Sequence, residues 1–319
     1  MEKIRLALLS GGISSEREVS LNSGKQVLEA LDKDKYDITR YDPKTDLKQL
    51  VTDADSIDAA LIILHGPFGE DGTVQGLLDL LDIPYQGAGV LGSSVAMNKL
   101  TAKQLYDHAE VPTPSYLAFS MNEKINTSRV VETLDLPLVI KPACAGSSVG
   151  MTIVKDEADL EDAFKLSFQH DDTIIVEKYI KGVELTCGVL GNDNLEALPV
   201  IEIIPGEGHE FFDFNAKYVA GETNEICPAR IDDNTTKKVQ QLARKAHQAL
   251  FLKGYSRTDF ILCNSELQVL ETNTIPGMTA TSLYPQSAKV GGYSFTALLD
   301  KLIELAIQEH KKQKLRRST

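Results

Sequence analysis

The sequence predicts a mixed α/β and α+β fold, with an N-terminal parallel α/β domain followed by two α+β units on antiparallel sheets. Three observations lead there. In the first third of the chain, short apolar runs alternate with amphipathic segments, the pattern of strands joined by crossover helices. In the middle, apolar runs separated by turn residues outnumber the helical stripes, as antiparallel strands require. Toward the end, Ser256 to Leu262 and Leu267 to Thr272 flank a polar break at Asn264-Ser265-Glu266 and read as a hairpin.

Taken in order, Ile4 to Leu9, Tyr36 to Tyr41 and Ala59 to Leu64 are expected strands. Glu16 to Leu31 and Thr73 to Leu81 are expected helices, the second with Val74, Leu77, Leu78 and Leu81 on one stripe. Ligands on a parallel sheet lie beyond the carboxyl ends of its strands. Gly11-Gly12-Ile13-Ser14-Ser15-Glu16 and His65-Gly66-Pro67-Phe68-Gly69-Glu70-Asp71-Gly72 fall there. A second unit begins near Asn98 with a helix to Ala109 and a break at Pro112 and Pro114. A strand near Tyr116, a helix near Glu123 to Leu134 and the strand Leu138 to Lys141 lead into a glycine loop. Val149 to Val154, a helix opened by Asp156 and the strand Thr173 to Glu177 complete the unit. The third unit carries Glu184 to Leu190, Leu198 to Ile204, and a helix across Thr235 to Leu252 with Val239, Leu242, Ala246 and Leu250 on one face. The hairpin follows, and a helix from Ser294 closes the chain. The expected domains are therefore 1–97, 98–181 and 182–319.

A chain of 319 residues, 42% hydrophobic, can fill two or three cores at about 100 to 150 residues per domain. The formal net charge of −13 argues against nucleic acid or an anionic membrane as partner, because both select positive charge. Any anionic ligand must then be met by locally placed Lys and Arg. The basic run His310 to Arg317 reads as a solvated helix end. Cys144, Cys187, Cys227 and Cys263 are scattered without Cys-x-x-Cys pairing and read as reduced thiols. The run Ile4 to Leu9 is too short for a signal sequence or a membrane span, so a cytoplasmic protein is expected.

Two stretches carry chemistry. In the hairpin, side chains alternate, so Arg257 and Asp259 share one face, as do Glu271 and Asn273. A three-residue turn would set Asp259 opposite Glu271 and Arg257 opposite Asn273, with Phe260, Leu262 and Leu270 turned to the core. A two-residue turn would set Asp259 opposite Leu270 and scatter the carboxylates, so three residues are expected. Two carboxylates and an amide, without His or Cys, suit Mg²⁺ shared with substrate phosphates better than Zn²⁺. The other stretch, Lys141-Pro142-Ala143-Cys144-Ala145-Gly146-Ser147-Ser148-Val149-Gly150, joins a lysine to small residues whose backbone N–H groups can approach a phosphate. It is neither a Walker A loop nor a dinucleotide Gly-x-Gly-x-x-Gly. No His-Arg-Asp or Asp-Phe-Gly accompanies it, which excludes a protein-kinase pattern.

Together these motifs resemble the ATP-grasp superfamily and, within it, the D-alanine:D-alanine ligase family. The resemblance runs in order over nearly the whole chain. It is carried by Gly11-Gly12, Glu16-Arg17-Glu18-Val19-Ser20, His65-Gly66, Gly69-Glu70-Asp71-Gly72, Met97-Asn98-Lys99, Lys141-Pro142, Gly146 to Met151, Glu177-Lys178-Tyr179, Ala216-Lys217-Tyr218, Cys227-Pro228-Ala229, Arg257-Thr258-Asp259 and Glu271 to Met278. It implies a substrate-binding domain at 1–97 and two ATP-grasp subdomains, at 98–181 with the glycine loop and at 182–319 with the metal site, clamping ATP between them. It implies ligation of two D-alanines through an acyl phosphate with release of ADP and phosphate, in a homodimer serving cell-wall precursor synthesis. By the same resemblance, Asp259, Glu271 and Asn273 hold two Mg²⁺ (or Mn²⁺) ions. Lys99, Lys141, Ser148 and Lys217 meet the phosphates; Glu177, Lys178, Tyr179 and Ile180 form the adenine edge, Glu184 takes the ribose and Phe211 covers the ring. Glu16 receives the ammonium of D-alanine, tied to Ser147 and Tyr218, and as an acid in the first turn of its helix it also suits the helix dipole. Arg257 and the N–H of Gly277 face the tetrahedral intermediate, Ser282 and Leu283 the second carboxylate, and His65 the substrate. Tyr218 favours an amine over a hydroxyl nucleophile. A different ATP-grasp carboxylate ligase, or an ATP-binding sensor without catalysis, are the alternative readings.

Overall fold

The computed structural model describes residues 2–146, 149–206 and 223–317. Its N-terminal layer is a parallel sheet in which β1 (Ile4–Ser10) lies between β2 (Tyr36–Tyr41) and β3 (Ala59–Ile63). Helix α1 (Arg17–Ala30) makes the first crossover and the short α2 (Leu47–Thr52) the second. Both faces of the sheet are covered, which is why β3 and most of β1 read as continuous apolar runs, while the edge strand β2 carries Asp37, Thr39 and Arg40. Leu6, Leu8, Leu61 and Ile63 enter one core, Ala7, Leu9, Ala60 and Ile62 the other.

Helices α3 (Thr73–Leu80), α4 (Gly89–Met97) and α5 (Lys99–His108) lead out of this layer. Asn98 accepts the N–H of Thr101 at 2.9 Å and so caps α5. Helix α4 was not expected, since Gly92 in its interior costs about 1 kcal/mol. Packing accounts for Gly92: a Cβ there would sit 3.0 Å from Leu252 Cδ2 and 3.2 Å from the Phe251 carbonyl, closer than ordinary contact, so glycine suits this approach.

The next sheet has the order β4 (Tyr116–Ser120), β7 (Thr173–Lys178), β5 (Leu138–Pro142), β6 (Thr152–Val154), all antiparallel. Leu138, Ile140, Ile174 and Val176 pack against α6 (Thr127–Leu134) and α7 (Leu160–Phe168). Helix α6 starts later than expected because Asn126 accepts the Arg129 N–H, placing the cap there. Asp156 opens a short 3₁₀ turn, Glu157–Asp159, and α7 follows only at Leu160.

The last sheet runs β11 (Thr223–Ile226), β10 (Ile201–Pro205), β8 (Val183–Leu190), β12 (Tyr255–Cys263), β13 (Glu266–Asn273), with β9 (Glu196–Ala197) paired to β8. Helix α8 (Asp233–Ala249) lays Val239, Ala243 and Ala246 on it, in one core with Ala102 and Tyr106 of α5. Beyond α9 (Leu283–Val290), α10 (Phe295–Arg317) returns to the N-terminal sheet, where Leu298, Leu299 and Leu302 share the core of Leu6 and Ile63.

The hairpin corrects one expectation in its cause. Cys263 pairs with Glu266, so the turn holds two residues, Asn264 and Ser265, with φ of 49° and 67°. Positive φ at both positions is the geometry whose twist suits a two-residue hairpin. Asp259 nevertheless faces Glu271, and Arg257 faces Asn273, because a bulge at Leu270 restores the register between Asp259 and Phe260. The core position goes to Val269; Leu270, expected in the core, is turned to the cleft described next.

Candidate active site

A cavity of about 460 Å³ lies between the second and third sheets. Val139, Met151 and Ile153 form one wall, Leu185, Ile204 and Leu270 the other, and Glu177 to Ile180 close the back. The backbone there is already engaged, since Lys178 N–H donates to Ser115 and Tyr179 N–H to Pro137. The Lys178 side chain turns outward to Asp135, 3.0 Å away. Glu184 on β8 lines the same cavity. An apolar slot with carboxylates and lysines at one end suits a planar base bearing a phosphate chain.

Its polar end is built on two strands. Lys141, the fourth residue of β5, reaches Glu177 Oε1 at 2.8 Å, and Lys103 of α5 meets the same oxygen at 3.0 Å. Burial alone would raise the Glu177 carboxyl, but the ammonium groups of Lys141 and Lys103 outweigh it and hold the acid below its ordinary value. Across the cleft, Arg257 grips Asp259 with two hydrogen bonds of 2.9 and 2.8 Å, and Thr186 donates to Asp259 at 2.6 Å. Lys99 Nζ stands 3.8 Å from Glu271. Behind this face, Tyr106 donates to Thr272, whose hydroxyl lies 2.9 Å from that of Thr258, a buried chain that pins α5 to the hairpin.

A second cavity, about 480 Å³, adjoins the first. Glu16, His65, Arg257, Asn273, Gly277 and Ser282 line it, and Lys99 and Glu271 belong to both. Glu16 occupies the N-cap position of α1 but makes no side-chain capping bond; its carboxylate lies against Gly66 and Gly146, where added Cβ atoms would come within 2.9 and 3.4 Å. The turn before it is braced from below. Gly12 N–H donates to Asp42 at 2.9 Å, Arg17 clamps the same carboxylate, and Gly11 at φ 98° leaves no room for a Cβ beside it. Ser14 donates to the His65 carbonyl at 2.7 Å and ties the two strand ends together. Burial lowers the His65 imidazole, with Glu16 opposing, and its Nε2 finds no partner among the described residues. Thr279 N–H donates to Ser282 Oγ at 3.1 Å, shaping the loop between β13 and α9. Leu283 opens α9, buried at the floor.

Ser147, Ser148, Phe211, Lys217 and Tyr218 lie outside the described residues. The other expected site residues converge on the two cavities. Sequence reasoning missed Lys103, although it stands one helical turn beyond Lys99. It also missed Thr186, which no local pattern marks. Glu70 lines the second cavity and accepts the Gly66 N–H at 2.7 Å; burial, with the nearby Glu16 carboxylate, pushes its acid up to about 8. Lys99 and Glu271 on the shared rim, with Lys141 and Asp259 on one side and Arg257 and Asn273 on the other, can hold a triphosphate against the second cavity, the arrangement for activating a carboxylate by phosphoryl transfer.

Known proteins resemble this chain in sequence and fold. Family models described as D-ala D-ala ligase N-terminus and D-ala D-ala ligase C-terminus match residues 40–88 and 105–304. A D-alanine–D-alanine ligase from Syntrophobacter fumaroxidans is 58% identical over 308 residues, 97% of this chain and 99% of that one. Another, from Desulfotalea psychrophila, is 52% identical over 315 residues, 98% of each. The crystal structure of D-alanine–D-alanine ligase from Bacillus anthracis superposes with a TM-score of 0.87 at 36% identity, covering 97% of this chain and 99% of that one. The Bacillus anthracis enzyme complexed with ATP gives 0.85 at 33% identity over the same shares.

Proposed function

The chain belongs to the D-alanine–D-alanine ligase family, and from that membership we propose that it joins two D-alanines at the expense of ATP, for peptidoglycan precursor synthesis. The fold is that of these ATP-grasp ligases, a parallel N-terminal sheet and two antiparallel sheets around a cleft. The observation that carries the reading is the seam: Lys99 and Glu271 border both the apolar slot and the second, more polar cavity. A γ-phosphoryl group held there meets a carboxylate from the second cavity.

In this reading the first D-alanine carboxylate attacks the γ-phosphorus and ADP leaves. The amine of the second D-alanine then attacks the acyl carbon, and phosphate departs with the bridging oxygen. Glu16 holds the first ammonium, and Arg257 with the Gly277 N–H faces the oxyanion that forms at the acyl carbon. Ser282 and Leu283 receive the second carboxylate, and His65 borders the substrate. Lys99, Lys141, Ser148 and Lys217 take phosphate oxygens, Glu177 to Ile180 and Phe211 enclose the base, and Glu184 binds the ribose. By the family resemblance, Ser147 and Tyr218 would act with Glu16. Asp259, Glu271 and Asn273 fit two Mg²⁺ or Mn²⁺ ions, because each ends in an oxygen donor and they lie together at the paired end of the hairpin. Bound there, the ions would neutralise charge on the phosphates.

The domain division 1–97, 98–181 and 182–319 and a cytoplasmic location belong to the same proposal; no helix among the described residues is long and apolar enough to cross a membrane. A homodimer also belongs to it, on the face where Val90, Leu91 and Phe251 are exposed. Asp79, Glu309 and Lys253 rim that face. Leu91→Glu should sediment as a monomer where the parent sediments as a dimer; an unchanged dimer places the interface elsewhere.

The testing experiment is ADP release with Mg²⁺-ATP and D-alanine, L-alanine, D-alanine with D-lactate, or no acceptor. Turnover with D-alanine alone and D-alanyl-D-alanine as product supports the reading. ATP binding without stimulated turnover refutes it.

A further inference from the structure

Lys103 is almost wholly buried, 1% exposed, yet it carries its ammonium into a carboxylate that a pocket lysine also needs. Glu177 Oε1 is 3.0 Å from Lys103 Nζ and 2.8 Å from Lys141 Nζ. Their surroundings differ. Lys103 is held on the inner side by the Thr113 hydroxyl at 2.6 Å, with the Tyr116 ring centroid 5.1 Å away. Lys141 lines the nucleotide cavity, which Lys103 does not. Two cations on one anion leave a surplus positive charge, and only Lys141 can present it to a ligand.

We propose that Lys103 is a positioning residue for nucleotide binding: by neutralising Glu177 from the buried side, it frees Lys141 to turn its ammonium to a phosphate. Without Lys103, Glu177 and Lys141 form a closed buried pair, and a phosphate would have to compete with the carboxylate for the one remaining ammonium. Burial pushes Lys103 down to about 8, with Glu177 opposing, so it still carries its charge at neutral pH. The inference rests on the nucleotide reading of the cavity. It assigns Lys103 no contact with ATP or D-alanine.

The experiment titrates the unreacted protein with ADP and ATP by calorimetry, and separately measures KM for ATP and for D-alanine. Lys103→Met should weaken ATP binding about tenfold or more and leave KM for D-alanine unchanged. Lys103→Arg, which keeps the charge, should restore binding to within about threefold. In a Glu177→Gln background, Lys103→Met should cost no further ATP affinity, because the competing anion is gone. A purely structural role would lower stability without this split, and its cost would persist in the Glu177→Gln background. Equal ATP affinity in the parent and Lys103→Met, or a double variant about tenfold weaker than Glu177→Gln alone, overturns the proposal. Should Lys103→Met not fold, the double variant carries the test, since removing both members of a buried pair is tolerated better than removing one; an affinity within about threefold of Glu177→Gln supports the proposal and a tenfold loss relative to it refutes it. A parent that binds neither nucleotide would instead refute the nucleotide reading of the cavity.

Discussion

His247 couples the stability of the C-terminal sheet to pH. It lies on the buried face of α8, 1% exposed, with Nδ1 2.8 Å from the Ser256 hydroxyl. Ser256 immediately precedes Arg257, so this contact seats the strand that carries the site. Burial, reinforced by the charge of Lys253, lowers the imidazole to about 4. In the unfolded chain it titrates near the ordinary value of about 6.5. Between these values the unfolded state binds the extra proton, so the stability contribution is complete above about pH 6.5 and is lost as pH falls toward 4. The loss comes to about 2 kcal/mol at pH 5 and about 3 kcal/mol below pH 4. His247→Asn removes the titration while keeping a polar group near Ser256. Urea unfolding followed by far-ultraviolet circular dichroism at pH 8 and pH 5 should show the parent losing about 2 kcal/mol more than the variant. His65 and the carboxylates are common to both proteins and cancel in the difference. Equal losses in parent and variant would refute the neutral, buried histidine.

Glu271→Gln should abolish turnover while the circular dichroism spectrum and melting temperature stay near those of the parent; substantial residual activity would remove Glu271 from the metal site. Arg257→Lys forfeits the two-pronged hold on Asp259 and should lower kcat about 10² to 10³-fold, with a smaller effect on nucleotide affinity. Tyr106→Phe, which deletes one buried hydrogen bond to Thr272, should cost about 1 to 1.5 kcal/mol in urea unfolding.

The parallel N-terminal sheet was legible because covering both faces leaves β3 and most of β1 apolar, with Leu6 and Leu8 facing one core and Ala7 and Leu9 the other. The facing of Asp259 and Glu271 was also legible, but its cause was not. Side-chain alternation shows which residues share a face; it does not separate a three-residue turn from a two-residue turn followed by a bulge, and Asn264-Ser265 lacks the glycine that usually marks the latter. Helix α4 escaped because Gly92 serves tertiary contact with Leu252 rather than local propensity. The return of α10 to the N-terminal sheet escaped because no local pattern records so distant a pairing. Lys103 was overlooked because a lysine in an amphipathic helix ordinarily reads as solvated, and only the fold shows it buried against Glu177.

The central claim is that a D-alanine carboxylate is phosphorylated before the peptide bond forms. D-alanine labelled with ¹⁸O in its carboxylate, incubated with the protein, Mg²⁺ and unlabelled ATP, tests it directly by mass spectrometry of the phosphate released. Acyl transfer from an acyl phosphate predicts one ¹⁸O per phosphate, carried over as the bridging oxygen, together with unlabelled ADP. Phosphate without ¹⁸O, formed at the same rate as dipeptide, would contradict the account.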